Sequence, residues 1–312
     1  MLGYIGRRIL ATIPVMAVVG LFVFSLLYFA PGDPAAIIAG DQATPDDVAR
    51  IRATLGLDRP FLVRFWEWSW QILHGDLGTS IFTNLPVTTM IGQRVQPTVS
   101  LMLVTLVFAI VVAVPLGVVA AWKAGSLIDR LVMGLAVMGF SVPVFVVGYV
   151  LAYVFALELG WLPVQGYTPI EQGFWPWLSN LILPAVTLGL VYIALIARVT
   201  RATMLDVLQQ DYVRTARAKG LSQGPVLFIH ALKNAAVPIV TVIGIGIALL
   251  IGGAVVTETV FAIPGLGRLT VDAILRRDYP VIQGVVLLFS FVYVLVNLAI
   301  DLSYTLLDPR IR

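Results

Sequence analysis

Residues 98–122 read TVSLMLVTLVFAIVVAVPLGVVAAW and contain no charged side chain. A helix that rises about 1.5 Å per residue over this stretch is long enough to cross the roughly 30 Å of hydrocarbon in a bilayer. Only a helix satisfies its own backbone hydrogen bonds in lipid over such a run, and the alternating pattern of barrel strands is missing. The stretch therefore predicts a transmembrane helix.

The same apolar pattern recurs along the whole chain. The six predicted spans are residues 9–30, 98–122, 131–157, 181–197, 237–257 and 281–301. The chain has 312 residues, of which 59% are hydrophobic and 12% are charged, about half the charged fraction of a soluble domain. Together these features predict an all-α integral membrane protein with six transmembrane helices. The first run is longer than a signal-peptide core and has no small-residue cleavage site after it, so we expect it to be retained.

The segment between the first two spans is predicted to be folded rather than a linker. Residues 44–47, Thr-Pro-Asp-Asp, are typical of a helix start, and Gly56 is the predicted end of that helix. A second helix is predicted from about Pro60, with the aromatic residues Phe61, Phe65, Trp66, Trp68 and Trp70. Two interpretations are equally supported: a helix at the membrane interface, or a small aromatic core under a loop.

We therefore divide the chain into three parts. Residues 1–32 form an N-terminal transmembrane helix, residues 33–97 an external helical insertion, and residues 98–312 a core of five helices. The positive-inside rule sets the orientation, because all three lysines and most arginines near short loops fall on one side when the N-terminus is inside. Long external segments cross regardless of charge, so the arginines of the insertion do not change this. Both termini are expected in the cytoplasm.

The loop between the fourth and fifth spans, about residues 203–234, carries the strongest functional signal. Six of the 20 Lys and Arg residues fall within residues 198–233. Residues 203–219 predict a helix that stops at Gly220, and a second short helix is predicted from residue 222 to about 234. Tyr212, Ala216 and Gly220 share one face that is nearly bare beyond the tyrosine. Attraction to anionic lipid would explain the charge, but the interspersed acids and the small-residue face favour a docking surface for a protein.

This loop resembles the EAA loop of ABC importer permeases, most closely in the dipeptide, oligopeptide and nickel branch. The matching residues are Arg214-Thr-Ala-Arg-Ala-Lys-Gly220, followed by His230-Ala-Leu-Lys-Asn234. Where the family usually has Glu-Ala-Ala, this chain has Thr215-Ala-Arg217, as is common in this branch. Similarity extends over essentially the whole chain, through Arg7-Arg8, Pro31-Gly-Asp-Pro34, Gly75-Asp-Leu-Gly78, Pro264-Gly-Leu-Gly267, Arg277-Asp-Tyr-Pro280 and Asp308-Pro-Arg-Ile-Arg312.

The resemblance implies a type I ABC importer permease in a bacterial inner membrane. Such a subunit takes up dipeptides, oligopeptides or glutathione by alternating access, with nickel, opines or oligosaccharides as alternative cargoes. Its implied partners are a second homologous permease in a heterodimer, two cytoplasmic ATPase subunits, an external substrate-binding protein and membrane lipid, with no nucleic acid. No cofactor or metal is expected on this chain, because ATP and Mg would be bound by the ATPase subunits.

The resemblance also suggests functional residues. ATPase coupling is expected from Tyr212, Arg214, Thr215, Ala216, Arg217, Ala218, Lys219 and Gly220. Polar side chains within the spans are candidates for the substrate path, namely Ser141, Thr187, Tyr192 and Thr241. By position, Gly265, Gly267 and Arg268 are candidates for contact with an external binding protein.

Two other classes of protein fit the sequence less well. The chain has no G-x-x-x-x-G-K-[ST] phosphate loop, no cysteine and only His74 and His230, so an ATPase, thiol chemistry and a histidine metal site are not expected. A catalytic constellation is lacking as well. An ion-coupled secondary transporter usually has ionisable residues deep in its spans. Here Glu258 and Asp301 lie near span ends, where we expect them to be interfacial with access to water.

Overall fold

The computed structural model describes residues 2–29, 34–39, 43–54 and 57–307. Three features singled out in the sequence lie outside these ranges: the helix end predicted at Gly56, residues 31–33 of the Pro-Gly-Asp-Pro motif, and the terminal motif at 308–312. Within them, the regular secondary structure is helical. The α-helices are α1 (Leu2–Phe29), α2 (Pro34–Ala39), α3 (Pro45–Thr54), α4 (Phe61–Leu73), α5 (Val87–Trp122), α6 (Leu127–Ser141), α7 (Val144–Leu151), α8 (Phe174–Leu208), α9 (Asp211–Ala218), α10 (Gln223–Pro225), α11 (Leu232–Asn234), α12 (Ala236–Val260), α13 (Leu266–Arg276) and α14 (Tyr279–Leu307).

Five predicted spans correspond to one helix each and the third to two helices, which confirms the all-α membrane class. Among the described residues, four helices, α5, α8, α12 and α14, are long and apolar enough to cross a membrane, and α6 with α7 forms a bent pair that can act as a fifth span. The first predicted span corresponds to α1, whose apolar stretch is Leu10–Leu26. Helix α5 begins at Val87, eleven residues before the predicted start at 98, and contains Pro97.

The third predicted span is not one straight helix. Its two halves, Leu127–Ser141 and Val144–Glu158, are bent by 104° relative to each other. Between them Val142 is extended, with φ −94° and ψ 126°, and is followed by Pro143. Proline lacks an N–H and disfavours helical backbone in the residue before it. The break that replaces the predicted continuous helix over 131–157 therefore originates at Pro143.

The helix start predicted at residues 44–47 is confirmed in α3. The Thr44 N–H donates to the Asp47 carboxylate at 3.2 Å, the Asp47 N–H donates to Thr44 Oγ1 at 3.3 Å, and the Thr44 hydroxyl adds a bond to the same carboxylate at 2.7 Å. This reciprocal pair of bonds is a capping box. The bond from the Thr44 hydroxyl holds the pKa of Asp47 below its usual value, as expected for a carboxylate that accepts hydrogen bonds.

The chain forms two compact units. One takes in the described residues up to Gln93 together with Leu269–Val294, and the other takes in Arg94–Arg268 and the described residues from Leu295 onward. In the first unit two motifs about 200 residues apart in sequence meet, because the Ser80 hydroxyl donates to Asp278 at 2.5 Å and Gly78 lies beside Pro280. This contact joins the loop after α4 to the turn before α14.

In the second unit, helix α8 packs against α6, α7 and α12. Its buried side chains form the core of the unit with residues of α5 and α12. Close approach depends on glycine at two points: a Cβ on Gly253 would lie 2.6 Å from Leu188, and one on Gly117 would lie 2.6 Å from Thr200. Gly253 is thus a packing residue, whereas a Cβ on the adjacent Gly252 would meet nothing within 4 Å.

Candidate functional site: the helical loop between α8 and α12

The loop begins with a break that the sequence did not predict. Helix α8 ends at Leu208, and Gln210 is extended, with φ −72° and ψ 149°, before α9 begins at Asp211. The helix predicted over 203–219 is therefore two helices. An acid in the first turn is favourable at a helix N-terminus, so Asp211 marks a helix start at a position that lies in the interior of the single predicted helix.

Gly220 ends α9 as predicted. The Leu221 N–H donates to the Ala216 carbonyl at 3.4 Å, and the Gly220 N–H donates to the Arg217 carbonyl at 2.9 Å, which is the Schellman pattern. Gly220 has φ +82°, in the left-handed region, and a Cβ there would meet no atom within 4 Å. The need for glycine in this structure is thus conformational rather than steric.

The remainder of the loop is also helical, as predicted. Helix α10 leads into a π-helical turn, Val226–Ala231, and then into α11. Three loop residues pack with the ends of three spans in one hydrophobic cluster, which we name the anchor cluster. Its buried members are Val118 and Ala121 of α5, Met204 of α8, Leu227, Ala231 and Ala235 of the loop, and Ile239 of α12. The cluster therefore packs the loop against the ends of α5, α8 and α12.

Helix α9 presents a basic surface. Val213 is its buried residue, whereas Arg214, Arg217 and Lys219 are exposed and Tyr212 is 42% exposed. Arg214 pairs with Asp211 at 3.5 Å, but both side chains are largely exposed, and such pairs contribute about 0–1 kcal/mol. The guanidinium of Arg214 is thus weakly held and accessible to a partner. Partial burial raises the pKa of the Tyr212 hydroxyl, which stays neutral near pH 7.

The π-helical turn adds apolar side chains that sequence reasoning missed. Phe228 is 50% exposed and Ile229 is 61% exposed, while Val226 and Leu227 before them are buried. The apolar run at 226–229 has no polar residue to mark which side chains point outward. We name six exposed residues of α9, of its C-terminal cap and of this turn together the docking surface: Tyr212, Arg214, Arg217, Lys219, Phe228 and Ile229.

Of the four predicted substrate-path residues, one lines the apolar cleft between α5, α6, α7 and α8. The hydroxyls of Ser141, Thr187 and Thr241 each donate to the carbonyl four residues earlier in their own helix, at 2.7–2.9 Å. Tyr192 is buried beside Gly246 and Gly253. An apolar cleft of about 380 Å³ between α5, α6, α7 and α8 is lined by Thr187 but not by the other three.

A buried carboxyl group organises the opposite end of the second unit. Glu258, near the end of α12, is fully buried. The Thr98 hydroxyl donates to its Oε1 at 2.6 Å, and the Arg268 N–H donates to its Oε2 at 3.0 Å. The Leu266 N–H in turn donates to Thr98 Oγ1 at 2.8 Å. Our expectation that Glu258 has access to water is therefore wrong, because the segment after α12 closes over it.

Glycine is required where this segment meets the carboxyl group. A Cβ on Gly267 would lie 2.9 Å from Glu258 Oε2 and 2.6 Å from the Cα of Val255, and a Cβ on Gly265 would overlap the carboxyl group itself. Both glycines are buried, whereas Arg268 is half-buried. Of the three residues predicted to contact an external protein, Arg268 is the one whose side chain reaches the surface.

A second buried polar contact lies near the loop end of the unit and was not predicted. The carboxylate of Asp129, only 6% exposed, accepts from Arg201 Nε at 2.5 Å and from Nη2 at 2.7 Å. The Gly125 N–H adds a third bond at 2.9 Å. This bidentate pair ties the first turn of α6 to α8. The 72 residues that separate the partners leave no local signal that would pair them.

Comparison with protein families gives two matches that together span nearly the whole chain. Residues 113–312 match the model described as binding-protein-dependent transport system inner membrane component, and residues 1–102 match the N-terminal model of the same system.

Three relatives match along their full length. The chain is 57% identical to a probable peptide ABC transporter permease, y4tP of Sinorhizobium fredii, over 99% of both chains. It is 42% identical to the dipeptide permease DppB of Alkalihalophilus pseudofirmus, with all of both chains covered. It is 43% identical to the glutathione permease GsiC of Salmonella paratyphi A, over 100% of this chain and 99% of the relative.

A solved structure shows a similar fold. A chain of the inward-facing MetNI methionine ABC transporter superimposes with a TM-score of 0.58 over 70% of this chain and 96% of the other, at 18% sequence identity. This chain therefore has the fold of a type I importer permease.

Proposed function

This chain belongs to the family of binding-protein-dependent transport system inner membrane components, and on that basis we propose that it is a permease subunit of an ATP-driven importer of short peptides or peptide-like solutes. The observation that carries the proposal is full-length similarity to permeases named for peptide, dipeptide and glutathione transport. Nickel, opines or oligosaccharides are less favoured cargoes, because none of these three relatives is named for them.

The proposed assembly contains a second homologous permease, two ATPase subunits that bind ATP and Mg, and an external substrate-binding protein. This chain supplies no ATPase activity, in keeping with a sequence that lacks a phosphate-binding loop. We propose that both termini lie in the cytoplasm. In the proposed division of the chain, residues 1–32 are the N-terminal transmembrane segment, residues 33–97 the external insertion and residues 98–312 the permease core. The protein is a multi-pass inner-membrane protein.

In this proposal the docking surface contacts an ATPase subunit and the anchor cluster transmits its movement. Exposed basic and apolar side chains on α9 and the π-helical turn suit a cleft on another protein. The eight coupling residues, Tyr212 and those from Arg214 to Gly220, lie on α9 and its capping turn. Closure of the ATPase pair would displace the loop and, through the cluster, the ends of α5, α8 and α12. Through such rigid-body movements, ATP would shift the permease between inward-facing and outward-facing states, which is alternating access.

The proposed substrate path remains Ser141, Thr187, Tyr192 and Thr241. Because three of these hydroxyls already donate within their own helices, the path offers a solute few free donors. Weak binding along the path suits an importer whose external binding protein supplies the selectivity. On that side, Gly265 and Gly267 shape the segment closed over Glu258, and we place Arg268 in contact with the binding protein.

The test begins with purification of the chain from its native membrane in a mild detergent and mass spectrometry of the co-purifying proteins. We expect a second permease and ATPase subunits in one complex. The complex, reconstituted in liposomes with its binding protein, is then assayed for ATP-dependent uptake of a labelled dipeptide, a labelled oligopeptide, glutathione and nickel. A chain that purifies alone in several detergents would refute the importer assignment, and uptake of nickel without any peptide or glutathione would refute the cargo.

A further inference from the structure

Helix α4 in the first unit presents three different faces. At about 100° per residue, Phe61, Phe65 and Trp68 lie together on one side. Arg64, Glu67 and Gln71 lie together on a second side. The third side is an apolar stripe of four large residues at helical spacing, which we name the α4 stripe: Leu62, Trp66, Trp70 and Leu73.

The first face packs on α1. Phe24 of α1 is 3% exposed, and its ring lies 5.3 Å from Phe61, 5.5 Å from Phe65 and 5.2 Å from Trp68, measured between centroids. One turn earlier in α1, Gly20 lies against the same tryptophan, since a Cβ there would be 3.8 Å from it. Aromatic pairs at these distances hold the two helices together.

This packing determines the depth of α4 relative to the membrane. Both Gly20 and Phe24 belong to Leu10–Leu26, the apolar stretch of α1. Helix α4 therefore lies beside the last two turns of a membrane span and not out in water beyond its end. The neighbouring surface of α1 is apolar and exposed as well, with Leu21 at 43% and Phe22 at 64%.

The α4 stripe is open along its full length. Leu62 is 75% exposed, Trp66 70%, Trp70 57% and Leu73 80%, and the ring of Trp70 is also in contact with His74. Tryptophan is enriched where hydrocarbon meets headgroups, because its ring is apolar and its N–H is polar. The second face suits water, since Glu67 on it pairs with Arg59 at 2.8 Å and both side chains are about half exposed.

We propose that α4 is an interfacial helix that inserts its stripe into the lipid at the membrane boundary beside the end of α1. The two interpretations left open by the sequence then both hold, because one face forms the aromatic core with Phe24 and the adjacent face contacts lipid. Lipid is favoured over a protein partner for the stripe because the stripe lies at the depth of the apolar part of α1. The polar face, which lies about 90–180° around the helix from the stripe, contacts water.

A test can use the absence of cysteine from the chain, which leaves a single introduced cysteine as the only thiol in it. Trp70→Cys and Leu73→Cys place the thiol on the stripe, and Gln71→Cys is the matched control on the polar face of the same turn. Each variant is assembled into the full transporter with cysteine-free partners and reconstituted in liposomes. A membrane-impermeant maleimide is supplied on both sides by freeze–thaw, so that the result does not depend on orientation.

We expect the stripe thiols to react at least about tenfold more slowly than the control thiol. A fluorophore attached to them by a permeant reagent should be quenched by lipids with nitroxide on the acyl chain, while the fluorophore at position 71 is not. Equal reactivity at positions 70, 71 and 73 would overturn the proposal. Slow reaction without quenching by lipid, or protection that appears only after the binding protein is added, would also overturn it, since a protein would then cover the stripe. Leu73→Cys keeps the test valid if Trp70→Cys fails to assemble, because Leu73 is the most exposed of the four.

Discussion

Replacing Thr98 with valine should destabilise the second unit through a single hydroxyl group. Thr98 is 2% exposed, and valine keeps its shape while removing two hydrogen bonds, one to Glu258 at 2.6 Å and one from the Leu266 N–H at 2.8 Å. A hydrogen bond to a carboxylate contributes about 1.5–3 kcal/mol, and a buried N–H left without an acceptor costs about 1–3 kcal/mol. Together these two terms give about 2.5–6 kcal/mol. Because hydrogen bonds between membrane helices average only about 0.6 kcal/mol, we expect a net loss around the lower end of this range, about 2–4 kcal/mol.

Thr105→Val is the matched control on the same helix. Thr105 is fully buried, and its hydroxyl has no hydrogen-bond partner among the described residues. The same change of shape should therefore alter the free energy of unfolding by less than about 0.5 kcal/mol. Denaturant unfolding of the purified protein in detergent, followed by tryptophan fluorescence, measures both variants. Equal stability of the two would refute the role assigned to the Thr98 hydroxyl, and a Thr98→Val cost that is unchanged in a Glu258→Gln background would refute its link to Glu258.

Three further predictions test other contacts. Gly220→Val should uncouple ATP hydrolysis from uptake. Gly125→Val is the control, because Gly125 has a similar φ of +80° and a Cβ there would also meet nothing within 4 Å; it should lose a similar stability, about 1 kcal/mol, but keep coupling. The same ratio of ATP hydrolysed to solute transported in the two variants would contradict this prediction. Asp129→Ala should lower the unfolding free energy by about 2 kcal/mol because Arg201 loses its buried partner, and an unchanged denaturation midpoint would show that the pair is unimportant. Phe24→Ala should lower the free energy of unfolding by about 3 kcal/mol and release α4 from α1. Limited proteolysis should then cut within residues 57–73 sooner than in the parent protein, and an unchanged cleavage pattern would contradict the packing.

Features that depend on neighbours in sequence were predicted well. The apolar runs became helices because the length of an uncharged run decides whether it can cross a bilayer. The start of α3 and the stop at Gly220 followed from side chains within a few residues of each helix end. The breaks at Pro143 and at Gln210 are also local, but the helices predicted from the sequence run across both residues, because the apolar or helix-forming residues on either side outweigh the one residue that interrupts them.

Features that depend on distant parts of the chain were not predictable in this way. Glu258 was expected to be interfacial because it is near the end of a span, but its burial depends on Thr98, 160 residues earlier, and on the segment after α12. The predicted substrate-path hydroxyls were chosen for their polarity, and the structure shows three of them bonded within their own helices. A sequence identifies which groups are polar but not which of them remain free after folding.

The composition of the anchor cluster determines how movement passes through it. Three of its seven buried residues, Ala121, Ala231 and Ala235, have no side-chain torsion that can rotate. A cluster of leucine or methionine can absorb a small shift by changing rotamers, but alanine contacts leave only movement of the backbone. In the proposed coupling, the contacts made by these alanines would pass a displacement of the loop to the spans through the backbone, whereas Met204 and Leu227 of the same cluster can absorb part of it by changing rotamers. Close packing leaves little spare volume at the three alanines, so we expect one added methyl group there to lower stability as well as transport.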